Sequence, residues 1–206
     1  MPLTPTPQPT PAPATPPPTA LPPVERRIEL FTDVPATELH EMATRLSRLN
    51  ELGIPLKATE ALDHLTDDLA ERTGFLYAMV NAFAEEQTFL GLHNPPPDAG
   101  YPLVGRTMSR SDGYCPEVIR GKLGLPLFDV AASPRFQSNP VVDAIGIQSY
   151  FGVPVIDAAT GLALLTVCVV DPEPRSLADA ARLLRLVHAA GRQAADILQI
   201  ITTPAP

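Results

Sequence analysis

The chain has 206 residues, 45% of them apolar, enough for one ordinary domain with a real core and hardly two. A formal net charge of −8 and a pI near 4.9 exclude a polyanion-binding surface, because nucleic-acid affinity comes mostly from phosphate neutralisation by clustered Lys and Arg. The first ten residues, MPLTPTPQPT, have neither a basic stretch nor an apolar one, and the longest largely apolar run, Leu162 to Val170, is well short of the ~20 residues of a spanning helix; the expectation is a cytoplasmic protein with no membrane segment.

Before Val24, eleven of twenty-three residues are Pro and most of the rest are Thr and Ala. Such a segment offers too little apolar surface to offset its ordering entropy, so residues 1–24 read as a disordered spacer. Residues 25–57 form an N-terminal helical segment, 58–201 the main domain and 202–206 a short tail. The helix is carried by Leu39, Met42, Leu46 and Leu49, which recur at three- and four-residue steps from Thr37 to Leu49 and are ended by Gly53 and Pro55. A second helix from Thr59 to Arg72 has its stripe at Leu62, Leu65 and Leu69 and its stop at Thr73-Gly74.

Phe75 to Phe83 is apolar at both parities apart from Asn81, the pattern of a central strand covered on both faces. Glu85-Glu86 turns it into an antiparallel strand over Gln87 to His93, and the three consecutive prolines of Asn94 to Gly100 make a loop. A short helix from Pro116 to Arg120 and a brief strand from Leu125 to Val130 follow. The crossing segment from Ala131 to Gly146 carries one helical turn at Val141 to Ala144. Strands at Gln148 to Ile156 and Leu162 to Val170 are joined by a hairpin loop at Asp157 to Gly161. Ser176 and Asp179 form an S-x-x-D capping pattern at the start of the last helix, which runs to about Ile200. Its heptad-like series Leu183, Val187, Ala190, Ala194, Ile197 and Ile201 serves either its own sheet or a homodimer formed with the helix at 37–49.

Helix, two strands, helix, strand, long crossing, two strands and helix describe an α+β domain. Its central sequence then resembles a known family. Tyr114-Cys115 with Val118-Ile119, Pro126-Leu127 with Val130, Ser133-Pro134-Arg135-Phe136 with Asn139-Pro140, and Ser149-Tyr150 with Gly152-Val153-Pro154 occur in the order of a GAF domain. The closing Thr166-Val167-Cys168-Val169-Val170-Asp171 and Pro174-Arg175 strengthen the likeness, which covers about Thr59 to Leu198.

The resemblance implies an antiparallel sheet of five to six strands with helices on both sides and a terminal helical bundle. It also implies a pocket on one face of the sheet and a sensory or regulatory role exercised through dimer or partner contacts. The fold does not name the ligand. The cyclic-nucleotide signature of such domains cannot be assembled here, because Lys122 precedes the Asn139 region. Neither Cys115 nor Cys168 adjoins a histidine of the kind found at bilin attachment sites, and His93 reads as a surface residue and not a haem ligand. No cofactor is named.

The candidate pocket residues are Tyr114, Cys115, Asp129, Phe136, Asn139, Tyr150 and Cys168, a mix that suits a small, largely apolar molecule. Asp129 is read either as a ligand-orienting group or as the holder of its own loop. Leu165 stands where relatives commonly have Gly, and either narrows the pocket or fills core. Two further readings accompany the sensor. One uses Cys115 and Cys168 as a redox pair or, as in the free methionine sulfoxide reductases of this family, as catalytic thiols; such enzymes carry a cysteine in the crossing segment, and Ala131 to Gly146 has none. The other is a scaffold whose pocket is filled. Two thiols without finger or CxxC spacing suggest no structural metal site.

Overall fold

The computed structural model describes residues 36–136, 139 and 145–202. The proline-rich segment, the expected helical turn at Val141–Ala144 and all but the first residue of the tail lie outside them. The described elements are α1 (Ala36–Glu51), α2 (Glu60–Thr73), β1 (Tyr77–Phe83), β2 (Gln87–His93), a 3-10 turn (Pro97–Ala99), β3 (Thr107–Met108), α3 (Cys115–Gly121), β4 (Leu125–Leu127), β5 (Ser149–Ile156), β6 (Ala163–Asp171) and α4 (Leu177–Ile197). The strands form one antiparallel sheet in the order β3-β2-β1-β6-β5-β4. No helix among the described residues is long and apolar enough to cross a membrane.

Both faces of β1 and β6 are buried, and their alternate residues belong to two different cores. Ala78, Val80 and Ala82 of β1, with Leu165, Val167 and Val169 of β6, face a layer built from Leu62, Leu65 and Leu69 of α2 and Leu183, Val187 and Ala190 of α4. Tyr77, Met79 and Phe83, with Cys168 and Val170, face α3 and the loops around it. Each large aliphatic side chain removed from water contributes about 1.5–3 kcal/mol, so the helical layer is the main anchor of the sheet. It sits close: a Cβ at Gly91 of β2 would lie 2.4 Å from the Leu62 carbonyl oxygen, so only glycine lets the α2 backbone ride directly on the strand.

Helix ends follow the sequence closely in α2. Thr59 Oγ1 accepts from the Leu62 amide, and Gly74 closes the helix in the left-handed region at φ 71°. At α4 the start is as expected but the capping differs. Ser176 Oγ accepts from the Ala178 amide, while the Asp179 carboxylate turns to Arg182 at 3.7 Å in place of the reciprocal cap.

Several expectations need correction. The strand expected from Leu125 to Val130 is only Leu125–Leu127, because Asp129 bends the chain by accepting the Ala131 and Ala132 amides. The strand β3 has no counterpart among the expected elements, because two residues carry no periodicity. The apolar series of α4 is not an open seam in this chain, since Leu183, Val187, Ala190 and Ala194 are buried against its own sheet and α2. Only its far end, Ile197 and the following Ile201, is exposed. Leu165 points into the helical layer, partnered by Ala82 and Val155, and so fills core without narrowing the other face.

Candidate functional site

The site lies on the face of the sheet opposite α2 and α4. Register sets its floor. Met79 of β1 pairs with Cys168 of β6, and Tyr150 of β5 pairs with Val170, so these four side chains leave the same face as neighbours. Tyr150 lies flat along its own strand only because residue 152 is glycine: a Cβ there would stand 2.1 Å from the Tyr150 hydroxyl. The phenol thereby reaches Cys115, with Oη 3.5 Å from its Sγ.

The lid is hung from the sheet by buried amides. Gln87, fully buried at the start of β2, accepts from Asn81 Nδ2 at 2.7 Å and donates through Nε2 to the carbonyls of Ser109 and Asp112, both at 2.7 Å. These bonds fix the segment that leads into α3 and set Tyr114 and Cys115 over the floor. Asn139 then clamps the crossing segment to the same place, accepting from the Gly113 amide at 3.1 Å and donating to its carbonyl at 2.7 Å. The Tyr114 ring packs edge-on against Tyr150 at 5.2 Å and Phe136 at 5.8 Å, and its hydroxyl donates to the Phe136 carbonyl.

Between lid and floor is a cavity of about 220 Å³, walled by Met79, Gln87, Phe89, Met108, Ile147 and Val170 together with Tyr114, Cys115, Tyr150 and Cys168. Four of the seven residues singled out from sequence therefore line it. Phe136 and Asn139 lie one step back, packing or clamping the residues that do. Asp129 is not in the wall; its carboxylate holds its own loop. His93 is remote as well, its Nδ1 2.7 Å from an Asp67 carboxylate oxygen. The wall residues that sequence reasoning missed, Met79, Gln87, Phe89 and Met108, lie on strands buried on both faces or on the two-residue β3, where alternation gives no sign of which side a residue takes.

The two thiols are in contact, Sγ to Sγ 3.7 Å, and both are buried. Hydrogen bonding from Cys168 pulls the Cys115 thiol down to about 6; burial opposes this, and the Tyr150 hydroxyl reinforces it. The Cys168 thiol is pushed well above its ordinary value by its bond to Cys115 and by burial. Burial also pushes the Tyr114 phenol up to about 12 and Tyr150 well above its ordinary value, so both hydroxyls remain protonated donors. On the same sheet face, Asn81 Oδ1 and Thr166 Oγ1 are buried with no hydrogen-bond partner among the described residues.

The family model of the GAF domain matches residues 57–198. A cyclic di-GMP phosphodiesterase of Pseudomonas aeruginosa is 39% identical over 71 residues, which are 34% of this chain and only 12% of that protein's length. Among solved structures, the blue-light absorbing form of the Thermosynechococcus elongatus PixJ GAF domain superimposes with a TM-score of 0.51 at 13% identity, over 79% of this chain and 91% of that one. Residues 122 to 287 of a methyl-accepting chemotaxis protein do so with a TM-score of 0.50 at 16% identity, over 78% and 99%. At such identities these structures share the fold alone. With its sheet, its cavity and a family match across more than half its length, the chain belongs to the GAF domain family.

Proposed function

We propose that this GAF domain is a regulatory sensor whose cavity takes a small, largely apolar molecule. The observation that carries the reading is the cavity itself: about 220 Å³ of space under a lid that buried amides hold in place. That volume equals roughly seven waters of about 30 Å³ each, smaller than the pockets of drug-sized ligands. The amide of Gln87 and the hydroxyl of Tyr114 are already engaged by the protein. This leaves the Tyr150 hydroxyl and the two thiols as directional groups. Among the described residues no Lys or Arg is in the wall, so a nucleotide, including the cyclic dinucleotide in the name of the Pseudomonas relative, does not suit it.

Occupancy would reach the outside through the sheet, since β1 and β6 carry the cavity floor on one face and the contacts of α2 and α4 on the other. The output then passes to a partner protein or a second copy of the chain. The buried stripe of α4 cannot supply that contact, which falls instead to the exposed Leu39 of α1 and to Ile197 and Ile201 at the end of α4. Native mass spectrometry of protein purified from its own host tests both parts. A small-molecule adduct and a dimer mass are the expected result; an unliganded monomer would overturn it in favour of a scaffold acting through surface contacts.

The 3.7 Å contact of Cys115 with Cys168 favours one second reading, a thiol redox pair. It would appear in the same spectrum as the loss of two hydrogens on mild oxidation.

A further inference from the structure

Four of the six sulfur-bearing residues of the chain line this one cavity. Their convergence is built by register. Met79 and Cys168 are cross-strand partners, and their Sδ and Sγ atoms lie 3.8 Å apart. Cys115, the first residue of α3, comes down on them with its Sγ 3.7 Å from that of Cys168. Met108 completes the sulfur-rich wall.

We propose that Cys115, Cys168 and Met79 form a binding site for a soft monovalent metal ion, copper(I), in the wall of the cavity. The donor set is the first argument. Thiolate and thioether sulfur select copper(I) over hard cations. Among the described residues no histidine is in the wall, and the carboxylate there, Asp112, accepts from the Ser111 hydroxyl.

Spacing is the second. Metal–thiolate bonds of about 2.3 Å at near-tetrahedral angles place two sulfurs about 3.8 Å apart, so the Cys115–Cys168 and Cys168–Met79 separations of 3.7 and 3.8 Å each match one edge of such a shell. A disulfide needs its sulfurs at about 2.05 Å and would have to draw the two thiols together by about 1.7 Å. Ordinary sulfur contacts have a similar length; the adjoining thioether is what distinguishes this cluster.

The proton balance is simple. Copper(I) takes the place of both thiol protons: Cu–S bonds form to Cys115 and Cys168 as their S–H bonds break, both protons leave to solvent, and nothing is oxidised or reduced. Two thiolates with one monovalent ion carry a single negative charge, which needs hydrogen-bond donors around the sulfurs. The Tyr150 hydroxyl, 3.5 Å from Cys115 Sγ, supplies an O–H donor to the sulfurs, the outer support that metal-bound ligands require. The site goes beyond the sensing role and stands whether or not an organic molecule also binds.

The test is anaerobic titration of the reduced full-length chain with copper(I) against a chromogenic chelator, followed by X-ray absorption. One ion per chain is expected, with a shell of three sulfurs at about 2.3 Å. Met79→Leu conserves volume and keeps both thiols. It should lower affinity at least tenfold with an unchanged circular dichroism spectrum, and Cys115→Ser should abolish binding. No copper bound by the reduced wild type, affinity unchanged in Met79→Leu, or nitrogen or oxygen in the shell would overturn the proposal. Metabolite binding by the metal-free protein is a separate readout, so failure of either reading leaves the other standing.

Discussion

Gly152→Ala tests the packing that puts a tyrosine hydroxyl in the site. The added Cβ would stand 2.1 Å from Tyr150 Oη, 2.5 Å from Cζ and 2.8 Å from Cε1. The ring has little room to yield, being 1% exposed and wedged between the Tyr114 ring and the Cys115 sulfur. Either Tyr150 swings out of the cavity wall or β5 shifts, and overpacking of this kind costs about 1–3 kcal/mol. For a chain of this size each kcal/mol lowers Tm by about 2–4 °C, giving a fall of about 2–12 °C. Tyr150→Leu removes the ring and is itself destabilising, yet in its background the alanine methyl has room. Urea unfolding of the wild type, both single variants and the double variant should therefore give a double variant more stable, by about 1–3 kcal/mol, than the sum of the singles. Additivity within about 0.5 kcal/mol would refute the claim that Gly152 exists to seat Tyr150.

Leu165→Ala, which empties a fully buried position in the helical layer, should cost about 2–5 kcal/mol and leave ligand affinity unchanged; a change in affinity would mean that Leu165 reaches the cavity. Asp157, fully buried in the β5–β6 hairpin, accepts from Arg48 of α1 and from the Thr160 amide and hydroxyl. Burial pushes its carboxyl up, but the Arg48 and Thr160 bonds outweigh this and hold it below the ordinary 3.8. The stabilisation is therefore complete above the unfolded value and is lost as pH falls through the lower folded one. Thermal melts between about pH 5 and 2 should show the wild type losing its advantage over Asp157→Asn across that window; parallel curves would remove Asp157 from the acid limb.

The parts of this fold that sequence makes legible are those with a period or a cap. The α2 stripe, its Thr59 and Gly74 ends and the strands β2, β5 and β6 fall within a residue or two of their expected limits. β3 does not, since two residues fix no alternation. The site divides along the same line. Tyr114, Cys115, Tyr150 and Cys168 were legible through an ordered family motif, whereas Met79 and Phe89 sit on strands apolar at both parities, where only three-dimensional register assigns a face. Gln87 is hidden for another reason: a buried amide that holds two carbonyls looks in sequence like any polar residue at a strand start. The α4 series leaves two readings open because a heptad-like spacing is equally the stripe of a helix lying on its own sheet, and Leu183, Val187 and Ala190 pack on that sheet.

The central claim, that the cavity is a ligand site, is tested most directly by thermal shift against a panel of small uncharged metabolites, with Met108→Trp as the filled-cavity control. A ligand at a hundred times its dissociation constant stabilises the native state by about 2.7 kcal/mol. At about 2–4 °C per kcal/mol, Tm should rise by about 5–11 °C in the wild type and not in Met108→Trp. A compound that shifts both proteins equally, or a panel of this class that shifts neither, would contradict the account.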